Sequence, residues 1–478
     1  MQGKRKCGIG VDFGTTNSSV ALFDGKHAVS VEFPMDNGTV VPSALYFNRV
    51  SERPVVGIRA VEEYLKDNEG HAVRLAMEHL GDLDLHVADQ TFTFQIHALA
   101  EKEIPGRLLR SLKRWLGDKR LDSLQVFTRR HPIVELIARM LSYLGAGVGL
   151  MDGEAVYLGR PVHFDHSDDI AQGRLAEATG QAGMAPPTFY PEPVAAAVSY
   201  FQSLGSVAPG NYFCFDFGGG TLDVCVLAVE NGAFEIKATH GIPLGGDRID
   251  QLIYRKKIFP ELGDGCPLAI IGPDGSRMTY RFRLLQYEDE LLNWQLTRRL
   301  NRPEMIVPVT RHTRLAGEPG IKFRRLHSVI RRNLSYTIFR AIEDAKIRLS
   351  EATETTIDVP AIDLHVPFTR AEFESCLGDV LVDIEDCVAR VLYRARISPE
   401  DVGEVICTGG SSRIPAVRAK LEEWFGKPAI EHQTFTGVAL GLAIAHYHGY
   451  APPPLPSQWT PGYEELTVSG QLPQRCPL

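Results

Sequence analysis

Two short stretches of the chain combine a glycine turn and threonine, which can hold a phosphate group, with an acidic residue that can hold a cation beside it. They are Asp12-Phe13-Gly14-Thr15-Thr16-Asn17 and Asp216-Phe217-Gly218-Gly219-Gly220-Thr221-Leu222-Asp223. Glycine lets successive backbone N–H groups converge on an anion, and the threonine hydroxyls add donors. Because an Asp repels phosphate, it acts through a divalent cation or that cation's water shell. The pair predicts a phosphate site with Mg²⁺, built in two halves.

Each glycine turn lies between two apolar runs, which predicts two β-hairpins of one design. Cys7 to Val11 and Val20 to Phe23 flank the first turn, and Tyr212 to Phe215 and Val224 to Val229 flank the second. A single copy of this pattern is more often a tight hairpin whose Asp bonds to its own backbone. The presence of two copies favours phosphate binding.

The composition is that of an ordinary globular chain with more than one core. The chain has 478 residues, of which 44% are hydrophobic, and a net charge of −8 that disfavours a nucleic-acid or anionic-membrane partner. It contains no apolar run of about 18 residues and no signal-peptide pattern. Its eight cysteines are scattered without a CxxC pair. We therefore expect a cytoplasmic protein with reduced thiols and no zinc.

Turn signals divide the chain into two lobes and a tail. Glycine and proline near residues 203–211 predict a boundary between a lobe at 1–205 and a lobe at 206–450. Charged, helix-compatible stretches predict an inserted, mostly helical subdomain at 255–332. The proline-rich residues 451–478 are typical of an extended tail.

A third glycine turn follows a β-rich run and precedes a predicted helix. The run Val405 to Cys407 leads into Thr408-Gly409-Gly410-Ser411-Ser412-Arg413. Strand-to-helix turns of this kind commonly hold nucleotides, because a helix N-terminus favours anions. The glycine pair could equally be structural.

Seven segments in this order resemble the nucleotide-binding domain of the DnaK-type, seventy-kilodalton heat-shock chaperones, which belong to the actin, hexokinase and heat-shock ATPase superfamily. They are the three glycine turns and residues 112–117, 190–197, 244–247 and 343–350. More narrowly, the chain is similar to the YegD-type bacterial members, which stop after the ATPase portion. The resemblance implies an α/β, two-lobed actin-like ATPase fold with duplicated ribonuclease H-like sheets and a helical insertion in the second lobe.

The resemblance also implies ATP and ADP as ligands, with slow, Mg²⁺-dependent hydrolysis of ATP. The implied phosphate contacts are Gly14, Thr15, Thr16 and Asn17 from the first lobe and Gly218, Gly219, Gly220 and Thr221 from the second. The implied base and ribose contacts are Gly246, Asp247, Glu343, Lys346, Ser350, Gly409, Gly410, Ser411 and Arg413.

The implied catalytic residues are Lys113, Glu192, Asp216, Asp12 and Thr221. Lys113 would lie near the γ-phosphate and the attacking water, and Glu192 would orient that water. Asp12, Asp216 and Glu192 would reach the metal through its water shell. Without the resemblance, Lys113 is one cation in a basic helix and Glu192 is an acid at a helix start.

Three departures from the chaperone pattern bear on function. Ile347 stands where those proteins usually have an Arg against adenine, which predicts a weaker or differently oriented purine clamp formed by Arg413 alone. Past His448 we expect no peptide-binding domain, and hence no client capture by this chain alone. A metal site at His163, Asp165, His166 and Asp168 is disfavoured, because alternation puts these residues on mixed faces.

Three classes of function stay open on the sequence. The favoured one is a heat-shock-like ATPase whose lobes open and close with nucleotide state and signal to a protein partner or co-chaperone. The others are a carbohydrate kinase on the same fold and an actin-like filament or scaffold protein.

Overall fold

The computed structural model describes residues 7–51, 53–68, 71, 74–87, 90–102, 104–150, 153–164, 166–230, 233–271 and 274–453. The predicted tail lies outside these residues from position 454 onward.

The first part of the chain, here called the first lobe, contains most of the short strands. These strands are β1 (Gly8–Phe13), β2 (Asn17–Phe23), β3 (Ala28–Ser30), β4 (Val40–Pro42), β5 (Ala44–Asn48), β6 (Pro54–Val56), β7 (Arg74–Val87), β8 (Gln90–Lys102), β9 (Gly106–Arg110), β10 (Ser123–Val126), β11 (Arg129–Pro132), β12 (Tyr157–Arg160) and β13 (Thr188–Pro191). Its helices are α1 (Ile58–Asn68), α2 (Ile133–Gly147), α3 (Asp168–Gln181) and α4 (Glu192–Leu204).

The second part of the chain, here called the second lobe, begins with a hairpin and is richer in helix. Its strands are β14 (Gly210–Phe217), β15 (Leu222–Glu230), β16 (Ala233–Ile242), β17 (Pro267–Ile271), β18 (Arg277–Arg281), β19 (Glu354–Val359), β20 (Leu364–Thr369), β21 (Val402–Thr408) and β22 (Ala429–Glu431). Its helices are α5 (Gly246–Ile253), α6 (Glu288–Leu291), α7 (Pro303–His312), α8 (Gly317–Arg331), α9 (Ser335–Glu351), α10 (Arg370–Cys376), α11 (Gly378–Ala395), α12 (Pro415–Phe425) and α13 (Gly437–His448).

Both lobes are built on a sheet of the same topology. The strand order is β13-β12-β1-β2-β3 in the first lobe and β22-β21-β14-β15-β16 in the second. In each sheet the hairpin strands are antiparallel, and the two later strands run parallel to the first hairpin strand. The predicted hairpins of one design are confirmed as β1/β2 and β14/β15, and the chain contains one sheet plan twice.

Alternation along β1 sends its apolar side chains to one face of the first sheet and leaves glycine on the other. Ile9, Val11 and Phe13 pack in one core cluster with α2 and α3. A Cβ atom at Gly8 or Gly10 would lie 2.0 or 2.2 Å from a carbonyl oxygen of α13, so this helix lies directly on the glycine face. Asp12 has the same parity as the two glycines and therefore belongs to the face that α13 covers.

Helices α4 and α13 pack against each other between the two sheets. Ala195, Ala196 and Ala197 of α4 share a buried cluster with Leu442 of α13 and with residues of both sheets. The small alanine side chains on this face of α4 thus let a second helix approach closely. At Gly441 the approach is so close that a Cβ atom would lie 1.7 Å from the carbonyl oxygen of Ala195.

The two lobes differ in what is inserted between the strands of the shared plan. The first lobe carries a small sheet, β6-β5-β9, and the second carries α5 to α11 with the hairpins β17/β18 and β19/β20. Residues 255–332 contain α6, α7 and α8 as well as the β17/β18 hairpin. Phe323 of α8 belongs to the same core cluster as Phe213 of β14, so the inserted residues are continuous with the core of the second sheet.

No helix in the described part of the chain combines the length and the apolar character needed to cross a membrane.

A glycine-to-alanine pair tests the close crossing of α4 and α13. We expect Gly441→Ala to lower the free energy of unfolding by about 2 kcal/mol or more, because the added methyl group forces the helices apart. Gly173→Ala in α3 is the matched control: nothing lies within 4 Å of its Cβ position, and alanine in a helix stabilises by roughly 0.5–1 kcal/mol. Urea unfolding measures both. A Gly441→Ala protein as stable as the parent would contradict this packing.

Candidate functional site

The two glycine turns meet where the lobes face each other. A Cβ atom at Gly219 would lie 2.0 Å from Oγ1 of Thr16, and one at Gly220 would lie 3.0 Å from Oγ1 of Thr15. Only glycine allows this approach, because any side chain on the second turn would collide with the first. The turns at the ends of β1 and β14 therefore form one composite structure with a wall from each lobe.

A cavity of about 390 Å³ opens beside the paired turns. Every residue that the sequence assigned to phosphate, base, ribose, metal or catalysis lines it: Asp12, Gly14, Thr15, Thr16, Asn17, Lys113, Glu192, Asp216, Gly218, Gly219, Gly220, Thr221, Gly246, Asp247, Glu343, Lys346, Ser350, Gly409, Gly410, Ser411 and Arg413. Residues that the sequence analysis did not assign to the site also line it: Asp250, Glu351, Thr408, Ile414, Thr434, Phe435 and Val438.

One polar atom in the first turn is buried without a partner. The Oγ1 atom of Thr16 makes no hydrogen bond to any described residue. A buried hydroxyl without a partner is destabilising, so it indicates a group that is bound in the functional state. Its position between the two turns fits an anionic oxygen.

Backbone bonds fix the second and third turns against each other. The carbonyl oxygen of Gly218 accepts from the N–H of Gly246 at 3.1 Å and from Oγ of Ser411 at 2.9 Å. The carbonyl oxygen of Gly219 accepts from the N–H of Asp247 at 2.8 Å. Because the start of α5 and the third turn both bond to the second turn, three segments distant in sequence are held as one wall of the cavity.

Lys113 and Glu192 form a buried ion pair at the floor of the cavity. Lys113 lies on a short 3-10 helix, Leu112–Trp115, and its Nζ is 2.5 Å from Oε1 of Glu192, the first residue of α4. Gly159 on β12 makes room for the carboxylate, since a Cβ atom there would lie 3.1 Å from Cγ of Glu192. Although burial lowers the pKa of Lys113, the charges of Glu192 and Asp12 raise it above its ordinary value, which keeps the ammonium charged.

Three buried aspartates surround this pair and leave an excess of negative charge. Burial, reinforced by the charge of Glu192, raises the pKa of Asp12 to about 7 and that of Asp223 to about 7. The same causes raise the pKa of Asp216 well above its usual range. Lys113 lowers all three values but is a single cation among four carboxyl groups. The cluster therefore favours a bound cation or bound protons.

Asp223 is a member of this cluster that the sequence analysis did not assign to the site. It is 2% exposed and lies directly opposite Asp216 in the β14/β15 hairpin. Its Oδ1 accepts from the N–H of Val162 at 2.9 Å, just past the end of β12. The predicted hairpin already implied that Asp223 lies beside Asp216, because residues opposite each other in an antiparallel pair point to the same face of the sheet.

At the other end of the cavity, charged side chains are paired with one another. Lys346 of α9 lies 2.7 Å from Asp250 of α5. Arg413 of the third turn lies 3.2 Å from Glu431 and 3.9 Å from Glu351. Burial raises the pKa of Asp250 to about 7 although Lys346 opposes the shift. The cation expected to cover adenine is thus also engaged in ion pairs.

In the segment from His163 to Asp168, where the sequence disfavours a metal site, Asp168 makes local contacts. Asp168, at the start of α3, accepts from the N–H of Phe164 at 2.7 Å and lies 3.3 Å from Nδ1 of His163. It also pairs with Arg160 at 3.5 Å. Asp165 lies outside the described residues. The carboxylate is engaged in fixing the loop before α3.

Comparison with known protein families identifies the chain. A family model described as Hsp70 protein matches residues 8–259 and 328–446, which together make up most of the chain. The unmatched residues between these ranges fall inside the segment from 255 to 332. Both glycine hairpins, α4, α9, the third turn and nearly all of α13 lie within the matched ranges. The chain belongs to the Hsp70 family of chaperone-like, ATP-binding proteins, and it has the two-lobed actin-like ATPase fold of that family.

Proposed function

We propose that this chain binds ATP and ADP with Mg²⁺ in the cavity between its lobes and hydrolyses ATP slowly. The observation that supports the proposal is the contact between the turns of β1/β2 and β14/β15, which brings backbone and hydroxyl donors of both turns to one cavity. Membership of a family of ATPases supports the reaction type and favours it over the carbohydrate kinase and the filament protein.

The phosphates would lie between the two turns. Donors would come from the backbone and hydroxyl groups of Thr15 and Thr16 in the first lobe and from Gly219, Gly220 and Thr221 in the second. The partnerless hydroxyl of Thr16 would then gain an acceptor. Because the donors belong to different lobes, full phosphate binding requires the lobes to be closed.

The excess of buried carboxylates supports a Mg²⁺ ion held through water. In the described part of the chain, no three acidic, histidine or cysteine side chains are placed to bind a metal directly. Mg²⁺ usually keeps several of its waters, so Asp12, Asp216 and Glu192 would hold those waters, with Asp223 beside them. The bound ion would offset carboxylate repulsion and neutralise charge on the phosphates.

Lys113 and Glu192 would act on the attacking water. The ammonium group of Lys113 would stabilise the charge that moves onto the phosphate oxygens in the transition state. Glu192 would accept a hydrogen bond from the water and orient it. The ion pair between these two side chains, 79 residues apart in sequence, holds both in position before ATP arrives.

Helix α9 takes part both in the contact between the lobes and in the lining of the proposed nucleotide site. Tyr336, near the start of this helix, is 2% exposed and is buried in a cluster of first-lobe residues that includes Tyr46 and Tyr64. Its ring centroid lies 5.4 Å from that of Tyr64, and its Oη accepts from Nη1 of Arg110 at 3.2 Å. Since α9 also presents Glu343 and Lys346 to the cavity, nucleotide state would be transmitted to closure through one helix, where a protein partner or co-chaperone could sense it.

We place this activity in the cytoplasm. The described cysteines are free, and nearly all of them are buried, which suits a reducing compartment.

Replacing the buried lysine tests the proposed reaction. We expect Lys113→Ala to reduce ATP hydrolysis at least about 100-fold while ADP binding is retained, because the lysine acts on the water and not on the adenosine. Lys119→Ala, an exposed lysine six residues later, is the matched control and should leave the rate unchanged. Single-turnover hydrolysis and calorimetry measure the two properties. Normal turnover by Lys113→Ala would show that this role for the lysine is wrong.

The raised pKa values of the aspartates predict how pH affects the metal-free protein. Because the folded-state pKa of Asp12 and Asp223 is about 7, their contribution to stability is complete below an unfolded-state pKa of about 4 and is lost as pH rises through about 7. Without Mg²⁺ and nucleotide, Tm should fall between about pH 5 and pH 8. The increase in Tm caused by Mg²⁺ and ADP should grow over the same interval.

Thermal unfolding across this pH range, with and without Mg²⁺ and ADP, measures both trends. Asp223→Asn should flatten the pH dependence, since it removes one of the titrating groups. An increase in Tm that is independent of pH would argue against a cation held by this cluster.

The contact of Tyr336 with the first lobe should control nucleotide release. We expect Tyr336→Ala to release ADP about tenfold faster, because an aromatic contact and a hydrogen bond that close the lobes are lost. Tyr393→Ala on α11, where the side chain is 86% exposed, is the control. Stopped-flow displacement of fluorescent ADP gives the rates. Equal rates in the two variants would exclude this contact as a closure element.

A further inference from the structure

Two partly exposed apolar side chains line the cavity near the third turn. Ile347 of α9 is 59% exposed, and Phe435, in the loop before α13, is 45% exposed. The Cε1 atom of Phe435 lies 3.0 Å from the position of a Cβ atom on Gly410, so the ring runs along the third turn. Ile347 lies one helical turn before Glu351, which pairs with Arg413 of the same turn. Both side chains therefore belong to the end of the cavity away from the phosphate donors.

Large apolar side chains left in contact with water inside a cavity indicate a ligand that covers them. A planar base is the part of a nucleotide that can do so, because stacking on an aromatic ring removes apolar surface from water on both partners. The backbone of Phe435 is fixed, since its carbonyl oxygen accepts from Oγ of Ser19 at 3.3 Å. The ring is thus presented from a defined position.

The polar side chains at this end are largely committed to one another. Lys346 pairs with Asp250, Ser350 donates to the carbonyl oxygen of Lys346 at 3.3 Å, and Arg413 pairs with Glu431. Side chains that already have partners contribute little to reading the hydrogen-bonding edge of a base, which is where adenine and guanine differ.

We propose that Phe435, assisted by Ile347, holds the base through apolar and stacking contact, so that the site accepts guanine as well as adenine nucleotides. The inference rests on the proposed nucleotide binding and deepens it: the substrate class becomes purine nucleoside di- and triphosphates rather than adenosine phosphates alone. Stacking is tolerant of base identity because both purines present a similar π-face. Discrimination would require edge contacts with free polar groups.

Calorimetric titration of the full chain with ADP and with GDP, each with Mg²⁺, tests the proposal. We expect the two Kd values to agree within about tenfold. Phe435→Ala should weaken both nucleotides by a similar factor, roughly 5- to 100-fold, as for other lost base-stacking contacts. Phe435→Tyr should restore both Kd values, because the aromatic face is retained, and Tyr393→Ala is the control for removing an aromatic side chain elsewhere in the lobe.

The outcomes separate this inference from the function on which it rests. ADP binding more than about 100-fold tighter than GDP binding would overturn purine tolerance and leave ATP binding intact. Unchanged affinity in Phe435→Ala would overturn the role of the ring, again with ATP binding intact. Binding of neither nucleotide by the parent protein would overturn the proposed function and the inference together.

Discussion

The contact between two glycine turns from different lobes is the constraint on which the rest of the site depends. Gly219 and Gly220 approach Thr16 and Thr15 so closely that no side chain fits between them. Each turn ends a strand at the same position of a repeated sheet plan, so duplication of the sheet also produces the second half of the cavity. Because the halves belong to separate lobes, any motion between the lobes would change the proposed phosphate site directly.

Electrostatics would then make the proposed closed state depend on which ligand is bound. Four carboxyl groups, Asp12, Glu192, Asp216 and Asp223, lie near a single ammonium group on Lys113. Repulsion among buried carboxylates is relieved either by protons or by a cation. The raised pKa values of Asp12 and Asp223 correspond to relief by protons. A cation that arrives together with phosphates relieves the same repulsion at neutral pH. In the proposed function, ligand binding and lobe closure would therefore be coupled through charge as well as through shape.

The sequence predicted the parts of the site that are encoded locally. A glycine turn between two apolar runs is readable from neighbouring residues alone, and both hairpins were found as predicted. The contact of Lys113 with Glu192 depends on packing across 79 residues; the family resemblance implied only that both residues act on the same water. Asp223 and Phe435 were missed for different reasons. The pairing of Asp223 with Asp216 across the hairpin could be read from the sequence, whereas the exposure of Phe435 to the cavity depends on how α13 lies on the first sheet.

The central claim is that both turns bind the same Mg²⁺-bound nucleotide, and affinity in matched variants of the two turns tests it most directly. Thr15→Val alters the first turn and Thr221→Val the second, at residues that line the same cavity. The account predicts that each variant weakens binding of Mg²⁺ and ADP in calorimetry by about tenfold or more, the usual loss for a hydrogen bond to a charged group. A large loss in one variant with unchanged affinity in the other would contradict it, because the nucleotide would then be held by a single lobe.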